Sequence, residues 1–187
     1  MTAPFTSRIT HEGPVFRVER REYAPPGGRA FVRDIVRHPG AVTILPVLDD
    51  GGIVFVRNYR VAVDAPLLEL PAGKLERGED PKEAAGRELE EETGYRAAAI
   101  VPLGQFFTTP GFSDERMHAF LATGLTHVGQ RLEPGEEITV ETVPSVEVWP
   151  MIRDGAIRDG KTIAALALWF GFAATPSCAA SHVGTAR

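Results

Sequence analysis

One cysteine, Cys178, stands in the whole sequence, so no disulfide can close within the chain, and such sparing use fits a reducing compartment. No apolar run reaches the length of a transmembrane helix, and residues 1–14 lack the apolar core of a signal peptide. Together these absences predict a soluble, cytoplasmic protein without a membrane partner. Broad basic character is missing as well. Lys and Arg number 20 against 25 Asp and Glu, a net charge of −5, whereas binding to nucleic acid needs a wide cationic surface. No nucleic-acid partner is expected.

The negative charge that is present is concentrated. Residues 73–95 hold eight acidic and four basic side chains, a net −4, which leaves −1 for the remainder of the chain. Metal ions are the natural partners of such a stretch. The first sixty residues carry nine arginines against six acids, a local attraction for phosphate groups. With 187 residues and 43% apolar side chains, the chain can bury one sizeable core but not two.

Along the chain, residues 1–13 and 177–187 are small, polar and aperiodic, and both tails are expected to fray. Two β-prone runs at 15–23 and 31–36 flank Ala24-Pro25-Pro26-Gly27-Gly28, predicting an N-terminal antiparallel hairpin appended over residues 14–40. The main domain follows over 41–174. A second hairpin is expected where runs 41–48 and 53–59 flank Asp49-Asp50-Gly51-Gly52. Further strands are expected at 67–70, 96–101, 117–122 and 138–143, with a late helix at 162–172.

The sharpest helix signal spans 81–93. Asp80 stands at the N-cap, Pro81 at the first helical position, Glu83 at the capping-box position, and Gly94 where the chain must leave the helix. Residues 145–153 are a weaker helix because Pro150 interrupts them. Strands alternating with one early and one late helix predict an α/β architecture: a mixed sheet in an α/β/α sandwich.

On the early helix Glu88, Glu91 and Glu92 stand at i, i+3 and i+4, so three carboxylates share one face, while Ala84, Ala85 and Leu89 seat the opposite side on the core. Like charges at this spacing cost an isolated helix a few tenths of a kcal/mol per pair. A divalent cation removes that cost. Oxygen donors without nearby histidine or cysteine suit magnesium or manganese better than zinc. Taken alone, the run 87–92 also reads as a solvated helix face.

The flanking residues decide between these. Gly73, five residues, Glu79, seven residues, Arg87-Glu88-Leu89, one residue, Glu91-Glu92, one residue and Gly94-Tyr95 fill every fixed position of a known motif, the Nudix box. Seven specified positions arise by chance with a probability on the order of one in a million. The sequence therefore resembles the Nudix hydrolase superfamily, and the resemblance implies an α+β fold with a mixed sheet and a metal-dependent pyrophosphohydrolase.

It also implies roles for individual positions. Glu88, Glu91 and Glu92 would hold divalent ions, Mg2+ or Mn2+, with the backbone carbonyl of Ala72 as a neutral ligand. Bound ions would neutralise a diphosphate and acidify an attacking water. Arg87, four residues before Glu91, would orient a metal-binding carboxylate. Glu79 is expected in a supporting role.

Beyond the box, Arg37-His38-Pro39-Gly40-Ala41-Val42, Val56-Arg57-Asn58-Tyr59-Arg60, Leu68-Glu69-Leu70-Pro71-Ala72-Gly73 and Thr109-Pro110-Gly111-Phe112-Ser113-Asp114-Glu115 are similar to the ADP-ribose pyrophosphatase branch. Pro110, sixteen residues past Gly94, is in that branch a mark of ADP-ribose preference. The implied reaction converts ADP-ribose to AMP and ribose 5-phosphate. GDP-mannose or another nucleoside diphosphate derivative is the alternative substrate, and a non-catalytic ADP-ribose sensor is the alternative of another class.

For substrate contacts, Arg57 or Arg60 would clamp the diphosphate, and Glu69, Ser113 or Glu115 would accept hydrogen bonds from ribose hydroxyls. Phe16, Phe31 and Tyr59 are candidates to stack on the base, while His38 and His118 read as hydrogen-bonded structural groups. With the box carboxylates on metal, the resemblance places a general base in the acidic loop Glu133-Pro134-Gly135-Glu136-Glu137, with Glu137 first and Glu136 second. The hairpin carries too few apolar residues for its own core, and the resemblance implies that it serves a homodimer.

Overall fold

The computed structural model describes residues 4–132 and 135–174. The tail at 177–187 with Cys178, and Glu133 and Pro134 of the acidic loop, lie outside the described residues. Among the described residues no helix is long and apolar enough to cross a membrane.

The N-terminal segment departs from expectation. Residues 5–12 do not fray but form β1 (Phe5–Glu12), which pairs antiparallel with β2 (Arg17–Tyr23), itself paired with β3 (Phe31–Arg37). The appendage is thus a three-stranded sheet rather than a hairpin. Every residue of β1 is exposed, so apolar content does not reveal this strand. What holds it is backbone pairing with the β2 edge and an aromatic ladder: Phe5 packs on Tyr23 at 5.3 Å and Tyr23 stacks on Phe31 at 4.7 Å.

The second departure concerns β4 (Ala41–Pro46) and β5 (Gly52–Arg60). Between them the chain turns as expected, with Asp50 Oδ1 accepting from the Gly52 N–H at 2.9 Å. Yet the strands do not make a hairpin ladder; a single bridge, Val47 to Ile53, joins them before they diverge into different sheets. All six residues of β4 and the first five of β5 are buried. Both are therefore central strands, and each takes two other partners.

One sheet has the order β10-β5-β6, with β6 (Ala65–Glu69) and β10 (Ile138–Pro144) antiparallel to β5. The other is mixed, with the order β7-β4-β9-β8, where β7 (Ala72–Lys74) and β8 (Tyr95–Phe107) are antiparallel to their neighbours and β9 (Arg116–His127) runs parallel to β4. Side-chain alternation gives the mixed sheet two apolar faces. Val42, Ile44, Phe120 and Ala122 meet Ala84, Ala85 and Leu89 of α1 (Pro81–Thr93). Leu45, Leu103 and Ala119 face the other way, toward Ala165 and Leu166 of α3 (Gly160–Ala174) and Val148 of α2 (Val148–Arg153). This is a mixed sheet between helices, as the element order predicts. Pro150 does not break α2 because it falls in the first turn, where its missing N–H has no helical acceptor.

Candidate active site

α1 begins and ends where its residues dictate. The Asp80 carboxylate accepts from the N–H groups of Lys82 at 2.8 Å and Glu83 at 3.3 Å, and Gly94 adopts φ 72°, which favours glycine. With its apolar face on the mixed sheet, the helix turns Glu88, Glu91 and Glu92 toward β7 and a cleft of about 830 Å3.

Glu92 is 4% exposed, and its Oε2 accepts from the Ala72 N–H at 2.9 Å. Burial drives the Glu92 carboxyl up to about 8; the Ala72 N–H opposes the rise, while repulsion from Glu88 and Glu136 adds to it. Glu88 lies over the backbone of Gly73, and its pKa is likewise raised, first by burial, against the pull of Arg87 and with repulsion from Glu91 and Glu136. Arg87 gathers three carboxylates: it reaches Glu79 at 3.0 and 3.2 Å, Glu88 at 2.8 Å and Glu91 at 3.0 Å. Its bond to Glu79 holds that carboxyl below its ordinary range, with the Glu76 N–H assisting.

In this arrangement no three acidic, histidine or cysteine side chains among the described residues converge as a closed metal cage, since Arg87 draws on Glu88 and Glu91 and Ala72 draws on Glu92. The donor set still suits a hard divalent cation. Buried Glu92 and half-buried Glu88, both with raised pKa values, sit beside Glu91 and Glu136, a concentration of carboxylates that suits a divalent cation.

Several expected substrate residues take other places. Arg57 points away from the cleft and pairs with Glu141 of β10 at 2.5 and 3.0 Å; Arg60, three residues on and therefore on the other face of the strand, lines it. Glu69 is not a hydroxyl acceptor in waiting: it is 1% exposed and already accepts from Arg60 at 2.9 and 2.6 Å and from Lys161. Ser113 is buried and accepts from the Glu115 N–H at 3.1 Å, shaping its own loop rather than the cleft.

Glu115 does line the cleft, where its Oε2 accepts from the Thr108 hydroxyl at 2.6 Å. His38 also faces it, with its Nδ1 accepting from the Gly40 N–H at 3.1 Å and standing 3.7 Å from Glu115. In the acidic loop the preference reverses: Glu136 lines the cleft, whereas Glu137 is exposed and stands outside its lining.

Sequence reasoning misses Lys161 and Asp159, which line the cleft from the start of α3. Their signal is faint. Only the Asp159-to-Thr162 spacing, an N-cap pattern preceding an apolar run, marks the helix start, and nothing local links it to Glu69.

Residues 37–166 match the NUDIX domain family. The ADP-ribose pyrophosphatase of Bacillus subtilis (strain 168) is 42% identical over 143 residues, covering 75% of this chain and 77% of that one. The methanol dehydrogenase activator of Bacillus methanolicus is 38% identical over 156 residues, covering 82% and 84%. A solved structure described as an ADP compounds hydrolase superposes with a TM-score of 0.81 over 92% of this chain and 94% of that chain at 22% identity, a likeness of fold. With the complete box on α1 and relatives spanning three-quarters or more of both chains, this chain belongs to the NUDIX domain family and is a Nudix pyrophosphohydrolase.

Proposed function

We propose that the chain hydrolyses the diphosphate of ADP-ribose to AMP and ribose 5-phosphate, with Mg2+ or Mn2+ held by Glu88, Glu91, Glu92 and the Ala72 carbonyl. The observation that carries this reading is the lining of one cleft: the box glutamates share it with Arg60 and Lys161 in a space large enough for a nucleoside diphosphate sugar. The name of the Bacillus subtilis relative and the position of Pro110 support ADP-ribose over GDP-mannose.

A bound divalent ion supplies charge neutralisation at the diphosphate and a more acidic water. The chain's own groups do the rest. Arg60 donates to phosphate oxygens, Glu115 accepts from a ribose hydroxyl, and Arg87 fixes Glu88 and Glu91. Glu136 takes the proton of the attacking water; the water oxygen bonds to one phosphorus as the bridging P–O bond breaks, leaving two monophosphates.

The exposed Phe5, Ile9, Phe16, Phe31 and Val32 of the N-terminal segment support assembly as a homodimer, and the single cysteine fits a cytoplasmic location. Light scattering at micromolar concentration should give twice the chain mass; a fully active monomer would exclude this. Turnover on ADP-ribose, GDP-mannose, dinucleoside polyphosphates and nucleoside triphosphates tests the substrate. An ADP-ribose efficiency ten times below a rival's overturns the choice, and binding without AMP release at saturating magnesium would instead make the protein a sensor.

A further inference from the structure

At one wall of the cleft Arg60, Lys161 and Asp159 form an ion network around the buried carboxylate of Glu69, and of these four only Arg60 has a role in the reaction as described. Glu69 ends β6, paired with Val56 of β5, and is 1% exposed. Its Oε1 accepts from Arg60 Nε at 2.9 Å and its Oε2 from Arg60 Nη2 at 2.6 Å, while Lys161 Nζ donates to the same Oε2. Lys161 is held in turn by Asp159 Oδ2 at 3.0 Å.

That aspartate also caps α3. Its Oδ2 accepts from the Thr162 N–H at 2.9 Å and from the Thr162 hydroxyl at 2.6 Å, and the Thr162 Oγ1 accepts from the Leu70 N–H at 2.8 Å. The residue after Glu69 and the residue after Lys161 are thus joined by a buried hydrogen bond. Lys161 and Glu69 have little freedom to move apart.

The bidentate contact with Glu69 occupies the Nε and Nη2 edge of Arg60 and leaves the Nη1 edge for a ligand. If Glu69 had Arg60 as its sole partner, its whole charge would fall on that guanidinium in a poorly hydrated place, competing with any phosphate. Sharing the carboxylate with Lys161 relieves that competition and pins the plane in which Arg60 is held. A guanidinium fixed before substrate arrives also loses less rotamer entropy on binding.

We infer that Lys161 is a positioning residue for the diphosphate, acting through the buried carboxylate of Glu69 to hold Arg60 ready for substrate. The inference rests on the reading that Arg60 binds the diphosphate of ADP-ribose.

The test compares Lys161→Met, Lys161→Arg, Arg60→Gln and the Arg60→Gln/Lys161→Met double variant in steady-state hydrolysis of ADP-ribose at saturating magnesium, with a melting temperature for each. Lys161→Met should raise KM roughly tenfold with kcat within about threefold, the loss of about one charge-assisted contact in binding. Lys161→Arg should recover most of that loss. The double variant should be no worse than Arg60→Gln alone, because the lysine acts through the arginine.

Lys161→Gln, which keeps a donor without the charge, reads the same way should the methionine variant not fold. A lowered melting temperature with unchanged KM in the folded Lys161 variants would make the network purely structural and overturn the inference, as would additive effects in the double variant. An unchanged KM in Arg60→Gln would instead remove Arg60 from the diphosphate site, and the inference with it.

Discussion

A Cβ built on Gly73 would stand 1.9 Å from the carboxyl carbon of Glu88, so the glycine is required by the space that carboxylate occupies. Gly94 is required for a different reason: its φ of 72° is costly for a residue with a side chain, and its Cβ would also meet the Gln130 nitrogen at 2.7 Å. The two glycines of the box should therefore fail differently. Gly73→Ala is expected to displace Glu88 and cut turnover by orders of magnitude while circular-dichroism melts change little. Gly94→Ala is expected to lower the melting temperature first. A Gly73→Ala enzyme within about threefold of wild type, under 1 kcal/mol in barrier, would count against Glu88 as a metal ligand.

Glu92 links metal binding to protons. Burial raises its carboxyl to about 8, so in the metal-free protein at pH 7 it is mostly protonated, and a cation can bind it only by displacing that proton. Titration calorimetry with magnesium in two buffers of different ionisation enthalpy should show net proton release at pH 7 that fades above pH 9. Because the folded pKa lies above the unfolded one, this group's contribution to metal-free stability is full below about 4.5 and is lost as pH rises through about 8. Magnesium should reduce that loss. Glu92→Gln should abolish both the proton release and the turnover.

Glu136, not Glu137, faces the cleft, and their glutamine variants should separate accordingly. Glu136→Gln is expected to lose turnover far more than affinity, with the deficit shrinking as pH rises and hydroxide replaces the missing base. Glu137→Gln should stay within about threefold of wild type, less than 1 kcal/mol in barrier. Equal losses in both would send the search for a base back to the box.

Glu19 of β2 accepts from Arg21 and Arg37 at 2.6 Å each, and these bonds, Arg21's first, lower its pKa to about 2. Here the folded pKa lies below the unfolded one. The stabilisation is present above about 4.5 and disappears as pH falls toward 2. Glu19→Gln should reduce the melting temperature at pH 7 and leave it unchanged near pH 2. An equal difference at both values would mean that packing, not the ion pair, holds β2 to β3.

The sequence by itself determined what depends on near neighbours along the chain. Asp80, Pro81 and Gly94 bound α1 because caps and breakers act within one turn, and the 3.6-residue period puts Glu88, Glu91 and Glu92 on one face whatever the helix packs against. Odd spacing likewise sends Arg57 and Arg60 to opposite sides of β5. Which side is inward was decided by the tertiary structure, since alternation has no preferred sign until a strand meets its neighbours. Tertiary structure likewise decided that Glu136 rather than Glu137 lines the cleft. Tertiary structure alone sent β4 and β5 to separate sheets, recruited the exposed β1 to an edge, and set Lys161 against Glu69 across 92 residues of chain. Those pairings depend on which surfaces the finished core brings together, and no local propensity encodes them.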